Sequence, residues 1–192
     1  MTYFICAFKG EARSFIEKRG LKYISGFSHP LYKNSDTLLV ITGIGHQNAS
    51  RATEKLMQYR LPEKNDTIVN IGVCAAPEHY RIGSVLIAKE IRYKKQGLPA
   101  KTAFSHPFEE VVLRSVDEIQ NHPCSTPVDM EAFGIFSTAS AYVDPGQILF
   151  IKIVSDHFKP GSISIKEIIN LVALKSKKIE EFLSSLKQAD HF

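Results

Sequence analysis

The sequence of 192 residues lacks the segments that would direct a protein into or across a membrane. No apolar run approaches the roughly 20 residues of a membrane-spanning helix, because Lys152 and Asp156 interrupt the best candidate, ILFIKIVSD. The N-terminal segment MTYFICAFKG has no basic region, and its apolar run is too short for a signal peptide. We therefore expect a cytoplasmic protein that makes no membrane contacts.

Metal-binding patterns of cysteine and histidine are also missing. The three cysteines have no metal-type spacing, and Cys6 and Cys74 lie in apolar stretches, where a free thiol behaves as a small hydrophobic side chain. None of the seven histidines forms the i, i+4 helical pair or the Cys/His doublet that a zinc site needs. The turn GIGHQN (43–48) lacks the third glycine of a dinucleotide-binding motif. We expect neither a metal nor a cofactor.

Clustered basic charge is missing as well. The net charge is +4, but lysine and arginine are scattered through residues 9–22, 81–101 and 175–187 instead of lying on one element. A surface that binds nucleic acid would need such a cluster together with a recognition motif. The pattern indicates a solvated surface of mixed charge, and we expect no nucleic-acid partner.

Short apolar runs alternate with helical patterns along the chain, of which 44% is hydrophobic and 23% charged. This composition and the length predict a single globular domain over residues 1–192. Near-continuous apolar strands between helices favour an α/β fold whose sheet is covered on both faces. We predict strands over 2–8, 37–45, 66–76, 83–95 and 146–156. We predict helices over 11–20, 48–59, 128–142 and 164–188.

Two local predictions are less direct. Asn48 is expected to be the N-cap of the second helix. Residues 96–127 have no clear pattern, and within them VVLRSVDEI (111–119) fits either a strand or a helix.

Three carboxylates adjoin predicted strand ends or a helix start. Asp156 follows the apolar run Ile148–Val154, Glu11 follows the first strand, and Glu131 opens a helix whose next residues look buried. Each one alone also fits an ordinary position, such as an N-cap, a loop or the first turn of a helix. Together they could meet at the edge of the sheet where α/β proteins bind ligands. A partly desolvated carboxyl group there can hold or donate a proton.

Six segments occur in an order that resembles a known family. They are FICAFKGEARSFI, LLVITGIGHQNASRATEKL, IVNIGVCAAP, RIGSVLIAKEIRY, VDMEAFGIFSTA and IKIVSDHF. They resemble successive motifs of the nucleoside phosphorylase superfamily, and most closely its nucleosidase branch, which includes the methylthioadenosine/S-adenosylhomocysteine nucleosidases. The VDMEA and VSD pieces are the specific ones. The segments cover nearly the whole chain except roughly residues 96–125.

The resemblance implies a three-layer αβα sandwich with a central mixed sheet, and an enzyme that cleaves an N-ribosidic bond. It implies that Asp156 contacts the purine and protonates its N7, and that Glu11 activates the attacking water. An aspartate at position 156 implies an adenine-type base, because its carboxyl group can donate to N7 and accept from a 6-amino group. The expected partner is therefore a small-molecule nucleoside.

The resemblance also implies which residues bind the substrate. Met130 and Glu131 match a pair that lies along the ribose, where the glutamate accepts from the 2′- and 3′-hydroxyls. The other residues expected to bind the substrate are Ile44, Val73, Cys74, Ala75 and Ser155. Relatives in this branch are commonly homodimers, so we expect a homodimer whose partner closes the 5′ end of the pocket against exposed apolar residues of 98–113.

Departures from the family pattern leave alternatives open. Val73 stands where the family usually has a Ser or Thr whose hydroxyl helps the phosphorylases bind phosphate, and this favours hydrolysis. The shortened segment before VDMEA lacks the aromatic residue that stacks on the base, so this platform is either missing or supplied by Phe133, Phe158 or Phe104. The preferred function is hydrolysis of an adenosine-type nucleoside, with or without a modified 5′ position. The alternatives are a phosphate-dependent phosphorylase and a non-catalytic nucleoside- or purine-binding protein.

Overall fold

The structure, a computed structural model, describes residues 1–189, in which helices surround one ten-stranded sheet. The strands are β1 (Thr2–Cys6), β2 (Lys22–Ile24), β3 (Leu31–Lys33), β4 (Thr37–Ile41), β5 (Thr67–Ala75), β6 (Val85–Tyr93), β7 (Gln96–Pro99), β8 (Glu109–Ser115), β9 (Val128–Asp129) and β10 (Ile148–Asp156). The helices are α1 (Lys9–Lys18), α2 (His46–Tyr59), α3 (Ala132–Ala139) and α4 (Ile165–Ala189), and a 3-10 helix covers Pro145–Gln147.

Four parallel strands form the centre of the sheet. β1 pairs with β4 and β5, and β5 pairs with β10. Every residue of β1 and β4 is buried, and in β10 only the last residue is partly exposed. Burial on both faces explains the near-continuous apolar runs of these strands. The register of β10 against β5 places Lys152 beside Gly72 within this apolar layer.

One half of the sheet closes on itself. β10 also pairs antiparallel with β6, β6 pairs parallel with β8, and β8 pairs with β9. β9 returns to β5 through the pair Ala75 and Val128, so five strands form a ring. β3 and β2 extend the open edge beside β4, and β7 pairs with β6. The sheet is therefore mixed, with its central strands parallel.

The helices cover both faces of the sheet. α1 packs against α4 on one face, and α2 packs against α3 on the other. Phe15 of α1 and Phe182 of α4 belong to one hydrophobic cluster, while Ala52 of α2 and Phe136 of α3 belong to a second. The predicted three-layer αβα sandwich with a central mixed sheet is confirmed.

The contact between α2 and α3 is unusually close at Gly134. A Cβ atom at this position would lie 2.0 Å from the carbonyl oxygen of His46, the first residue of α2. Glycine is required here because any side chain would collide with backbone. This contact fixes the beginning of α3 against the turn that precedes α2, and both segments border the cleft described below.

The predicted strands match observed strands, but three predicted helix starts are wrong. α1 begins at Lys9 instead of Glu11. The N-cap of α2 is Gly45 instead of Asn48, whose side chain donates to the carbonyl of Ile44 at 2.8 Å. The predicted helix over 128–142 is shorter in the structure, because its first two residues form β9 and α3 covers Ala132–Ala139. The pairing of β9 with neighbouring strands prevails over the helical pattern.

The segment with no clear pattern, residues 96–127, contains β7 and β8 separated by a loop. The first residues of VVLRSVDEI lie in β8, so its strand alternative is confirmed and its helix alternative is wrong. The short strands β2 and β3 were not predicted.

None of the helices within residues 1–189 is both long enough and apolar enough to cross a membrane. In the same part of the chain, no group of three or more His, Cys, Asp or Glu residues could hold a metal ion. His191 lies outside the described residues.

Candidate active site

A cleft opens at the carboxyl ends of the four central parallel strands. Its lining comes from the residues that follow β1 and β4, from the last residues of β5 and β10, and from the segment around β9. Ligands of α/β proteins bind at this edge because the loops that leave parallel strands converge there. The cleft is therefore the first candidate for a functional site.

All nine residues that the sequence analysis assigns to a site line this cleft. They are Glu11, Ile44, Val73, Cys74, Ala75, Met130, Glu131, Ser155 and Asp156. The three carboxylates reach the cleft from three separate places in the fold: α1, the segment after β9, and the end of β10. The structure brings them together, while their individual roles stay predictions.

Glu11 is buried at the beginning of α1, with an exposed fraction of 3%. Its Oε2 accepts from the backbone N–H groups of Ala7 at 3.0 Å and Phe8 at 3.4 Å, as a glutamate at the third helical position does in a capping box. Its Oε1 accepts from the N–H of Val73 at 2.9 Å, which ties α1 to β5. Glu11 therefore both caps the beginning of α1 and lines the cleft.

Glu11 titrates near neutral pH. Burial, together with the charge of Glu131, raises the pKa of its carboxyl group from the ordinary 4.5 to about 7. The ammonium group of Lys152 and the N–H groups of Val73 and Ala7 act in the opposite direction because they favour the ionised form. A buried carboxyl group that exchanges its proton near pH 7 suits acid–base chemistry.

Glu131 is held by the glycine turn between β4 and α2. Its Oε1 accepts from the N–H of Gly45 at 2.9 Å. Gly45 has a φ of 98°, in the left-handed region that favours glycine, and this conformation directs its N–H towards Glu131. Burial raises the pKa of Glu131, and the neighbouring charge of Asp129 raises it further. Met130 lines the cleft beside it.

Asp156 lies at the end of β10, partly exposed to the cleft. Its Oδ2 accepts from the hydroxyl of Ser155 at 2.8 Å, and its Oδ1 accepts from the N–H of Lys159 at 3.2 Å. The Ser155 hydroxyl also lies 3.1 Å from the carbonyl oxygen of Cys74. The carboxyl group is thus oriented by its own strand end and by the loop that follows it.

A buried ion pair beneath the cleft was missed by the sequence analysis. The Nζ of Lys152 lies 2.8 Å from Oδ2 of Asp129, and the two side chains are 1% and 0% exposed. Asp129 Oδ2 also accepts from the N–H of Ala132 at 2.9 Å, so Asp129 serves the start of α3 as well. The sequence did contain a signal for this ion pair. Lys152 interrupts an apolar run, and a buried ammonium group must have a charged or polar partner.

The ammonium group of Lys152 stays charged despite its burial. Burial alone would lower the pKa of Lys152, but the negative charges of Asp129, Glu131 and Glu11 outweigh it and raise that pKa. The floor of the cleft therefore contains one fixed positive charge among several carboxyl groups.

None of the three aromatic residues suggested for base stacking lines the cleft. Phe133 stacks on Tyr93 with ring centroids 4.2 Å apart, and Phe158 is buried in a hydrophobic cluster with the cleft-lining Val116 and Val128. Phe104 packs against the cluster that contains α1 and α4. Among the described residues that line the cleft, Phe8 is the only aromatic one. The other lining residues that the sequence analysis did not assign to the site are Ala7, Val116, Ile119, Gln120, Val128, Asp129 and Pro160.

Two large apolar side chains are exposed at the rim of the cleft. Ile44 and Ile119 are 60% and 70% exposed. The apolar surface expected within residues 98–113 is smaller than predicted, because half of its large apolar side chains are buried and Leu98, Phe104 and Val112 are half-buried. The buried residues of this segment are Ala100, Phe108, Val111 and Leu113.

The cleft combines apolar walls with a few convergent carboxyl groups, which is typical of a site for a small organic molecule. One carboxyl group titrates near neutral pH and can exchange a proton with water. Carboxyl groups that are ionised in such a cleft stabilise a cation that develops beside them.

Comparison with known proteins finds a matching family. The family profile of the phosphorylase superfamily matches residues 3–117 of the chain. No curated protein matches the sequence significantly.

Solved structures with the same fold include nucleosidases of low sequence identity. The 5′-methylthioadenosine/S-adenosylhomocysteine nucleosidase of Neisseria meningitidis, in complex with methylthio-immucillin-A, is 19% identical with a TM-score of 0.75, over 96% of this chain and 98% of that chain. The corresponding nucleosidase of S. pneumoniae, with a transition-state inhibitor, is 15% identical with a TM-score of 0.79, over 96% and 99% of the two chains. A futalosine hydrolase mutant of Helicobacter pylori is 12% identical with a TM-score of 0.78, over 96% and 98%.

Proposed function

Because the chain belongs to the phosphorylase superfamily, we propose that it is a purine nucleosidase that hydrolyses the N-ribosidic bond of an adenosine-type nucleoside. The convergence of Glu11, Glu131 and Asp156 in one cleft is the observation that carries this proposal. Cleavage of this bond passes through a cationic sugar and needs a base for the water and an acid for the purine. Three carboxyl groups are sufficient for these tasks.

Glu11 acts as the general base that activates water. Three backbone N–H groups fix its position, so little reorganisation is needed during the reaction. Its pKa of about 7 leaves a large ionised fraction at neutral pH and still provides a strong base. Water placed between Glu11 and the sugar would attack C1′ and transfer a proton to the carboxylate.

Asp156 acts as the general acid for the leaving purine. A purine anion is a poor leaving group, and protonation of N7 is worth roughly 10²–10⁴-fold in rate. The contacts with Ser155 and Lys159 orient the carboxyl group at the end of β10. In this position it can donate to N7 and accept from the 6-amino group of adenine.

Met130 and Glu131 bind the ribose. The N–H of Gly45 occupies Oε1 of Glu131, so Oε2 is left to accept from the 2′- and 3′-hydroxyls. Met130 and Ile44 supply apolar contacts along the sugar. The remaining contacts with base and ribose come from Val73, Cys74, Ala75 and Ser155.

Hydrolysis is favoured over phosphorolysis by the charge of the cleft. Val73 offers no hydroxyl, and its N–H already donates to Glu11. A phosphate dianion at this place would face the carboxyl groups of Glu11 and Glu131, and like charges in a buried site repel strongly. Water has no such penalty.

The 5′ substituent is proposed from the structural relatives. The nucleosidases that share the fold are named for 5′-methylthioadenosine and S-adenosylhomocysteine, and another relative is named for futalosine. We therefore propose a 5′-modified nucleoside as the substrate, with 5′-methylthioadenosine as the first candidate. The exposed Ile44 and Ile119 at the rim support a homodimer in which a second copy covers this end of the cleft.

The test is base release from purified protein. 5′-Methylthioadenosine, S-adenosylhomocysteine, futalosine, adenosine and inosine are each incubated with the protein, with and without phosphate, and the products are separated by chromatography. We expect free adenine from a 5′-modified adenosine at a rate that does not depend on phosphate. A product phosphorylated on the sugar, formed only with phosphate, would show a phosphorylase instead.

Matched variants connect the activity with the cleft. Glu11→Gln and Asp156→Asn should each remove base release, whereas Glu17→Gln, an exposed carboxylate on the same helix as Glu11, should leave it unchanged. Adenine or nucleoside binding in calorimetry without any turnover would favour the non-catalytic alternative, which is supported by the shortened segment before VDMEA. Full activity of either cleft variant would overturn the role of that residue.

A further inference from the structure

Lys152 is the one charged group in the middle of the apolar strand β10, and the catalytic roles above do not use it. Its side chain is 1% exposed, and its ion pair with Asp129 is formed without contact with solvent. Placing two charges away from water is costly, and apolar residues of similar volume would often give equal or greater stability. A contribution to folding alone therefore does not explain why this strand carries a lysine.

The position of Lys152 relative to Glu11 suggests what it does. The register pairs Lys152 of β10 with Gly72 of β5. A Cβ atom on Gly72 would lie 2.9 Å from Oε1 of Glu11 and 3.5 Å from Nζ of Lys152. The carboxylate and the ammonium group therefore face each other across the one position of β5 where no side chain stands between them.

The charges around Glu11 make this neighbour important. Glu131 and Asp129 bring two further carboxyl groups into the same buried region, and Lys152 is the cation opposite all three. The thiols of Cys6 on β1 and Cys74 on β5 also face the cluster. Burial raises the pKa of Cys6 well above its ordinary value and that of Cys74 to about 12, so both thiols are neutral near pH 7.

We propose that Lys152 is a positioning residue whose buried ammonium group, anchored by Asp129, favours the ionised form of Glu11 that activates water. The proposal rests on the nucleosidase function proposed above. Lys152 does not line the cleft, so it acts on the reaction through Glu11 without contact with substrate. Without the ammonium group, the carboxyl groups of Glu11 and Glu131 would oppose each other's ionisation in a buried site, and Glu11 would hold its proton at neutral pH.

The test follows the titration of Glu11 itself. The ¹³C signal of its carboxyl carbon is identified by its loss in Glu11→Gln and is followed against pH in folded protein. Lys152→Met alone would leave Asp129 buried without a partner, so the main variant is the neutral pair Asp129→Asn with Lys152→Met. Lys152→Arg keeps the charge and serves as the conservative variant. The pH profile of kcat/KM is recorded for the same proteins.

We expect the titration midpoint of Glu11 to rise by about 1–3 pH units in the double variant, because a nearby opposite charge lowers a carboxyl pKa by that amount. The acid limb of kcat/KM should move with it, so that activity near pH 7 falls at least about fivefold. In Lys152→Arg both should stay within about half a pH unit of wild type.

If the role of Lys152 were purely structural, its replacement in the double variant would change the melting temperature and would leave both midpoints where they are in wild type. A midpoint of Glu11 in the folded double variant within about 0.3 pH units of wild type would overturn the proposal. A shift in Lys152→Arg as large as in the double variant would also overturn it, because the charge would then be irrelevant. If wild-type protein released no base from any nucleoside, the proposed function would fail, while the titration would still decide whether Lys152 ionises Glu11.

Discussion

Replacing Glu11 by glutamine should make the protein more stable relative to wild type as the pH rises, although the substitution is expected to abolish activity. Burial raises the pKa of Glu11 from its ordinary 4.5 to about 7, so the folded state binds the proton more tightly than the unfolded chain does. The stability that follows from this difference is fully present below pH 4.5 and is lost as the pH rises through about 7. Glutamine does not titrate, so the variant does not undergo this pH-dependent loss of stability.

The size of the effect follows from the shift in pKa. A difference of one pKa unit corresponds to about 1.4 kcal/mol, so complete ionisation of Glu11 costs the folded state about 3 kcal/mol. Between about pH 5.5 and about pH 8.5, the free energy of unfolding of Glu11→Gln should therefore rise by about 2 kcal/mol relative to that of wild type. Glutamine also loses part of the contacts with three N–H groups, at roughly 1–3 kcal/mol, but this cost is independent of pH.

The assay is urea unfolding of wild type and Glu11→Gln at the two pH values, and the measured quantity is the change in their difference. Thermal unfolding should show the same trend, with the melting temperature of the variant gaining about 4–8 °C on wild type. The control is Glu17→Gln, which alters an exposed carboxylate of the same helix and should give a difference that does not vary with pH. A stability difference for Glu11→Gln that is equal at both pH values would refute the inference that this carboxyl group titrates near neutral pH.

Three further predictions test the site and its support. The rate of base release should decline below about pH 7, to roughly a tenth of its maximum near pH 6, because protonated Glu11 cannot activate water. A flat pH–rate profile would contradict the role of Glu11 as base. Gly134→Ala should lower the free energy of unfolding by about 1–3 kcal/mol or more, since its Cβ would lie 2.0 Å from the His46 oxygen. Ser137→Ala, at an exposed position of the same helix, should change this free energy by less than about 0.5 kcal/mol. Equal effects of the two substitutions in urea unfolding would argue against the close helix contact. Gly72→Ala should displace Glu11 Oε1, 2.9 Å from the new Cβ, and reduce kcat/KM by up to about 100-fold, and an unchanged kcat/KM would show that the position of this carboxylate is not critical.

The sequence was sufficient for the strands that are buried on both faces. β1 and β4 contain no exposed residue, so a short, near-continuous apolar run identifies each of them. β2, β3, β7 and β9 contain only two to four residues, too few for any periodicity. They exist because neighbouring strands pair with them, and this pairing depends on the tertiary fold.

The nine predicted site residues were found through family motifs, and the structure places all of them in one cleft. The motifs could not show which buried side chains pack beneath the site residues. The partner of Lys152 depends on the register between β10 and β5 and on the position of β9, neither of which follows from local sequence. The packing of the suggested stacking residues could not be predicted for the same reason, since Phe133 stacks on Tyr93 and Phe158 lies in a hydrophobic cluster.

The shortest strand of the sheet connects these observations. β9 has two residues, and its ladder consists of the pairs of Val128 with Ala75 and Arg114, and of Asp129 with Ser115. Such a short ladder is weak by itself, yet it must fix Glu131 two residues later. Asp129 adds the two contacts that the ladder lacks, to Lys152 of β10 and to the N–H that begins α3. The buried ion pair thus joins the end of the ring of strands to the first turn of α3, and its lysine also places a positive charge near Glu11. A neutral, well-packed replacement could preserve the first of these effects but not the second, which is why the titration of Glu11 distinguishes them.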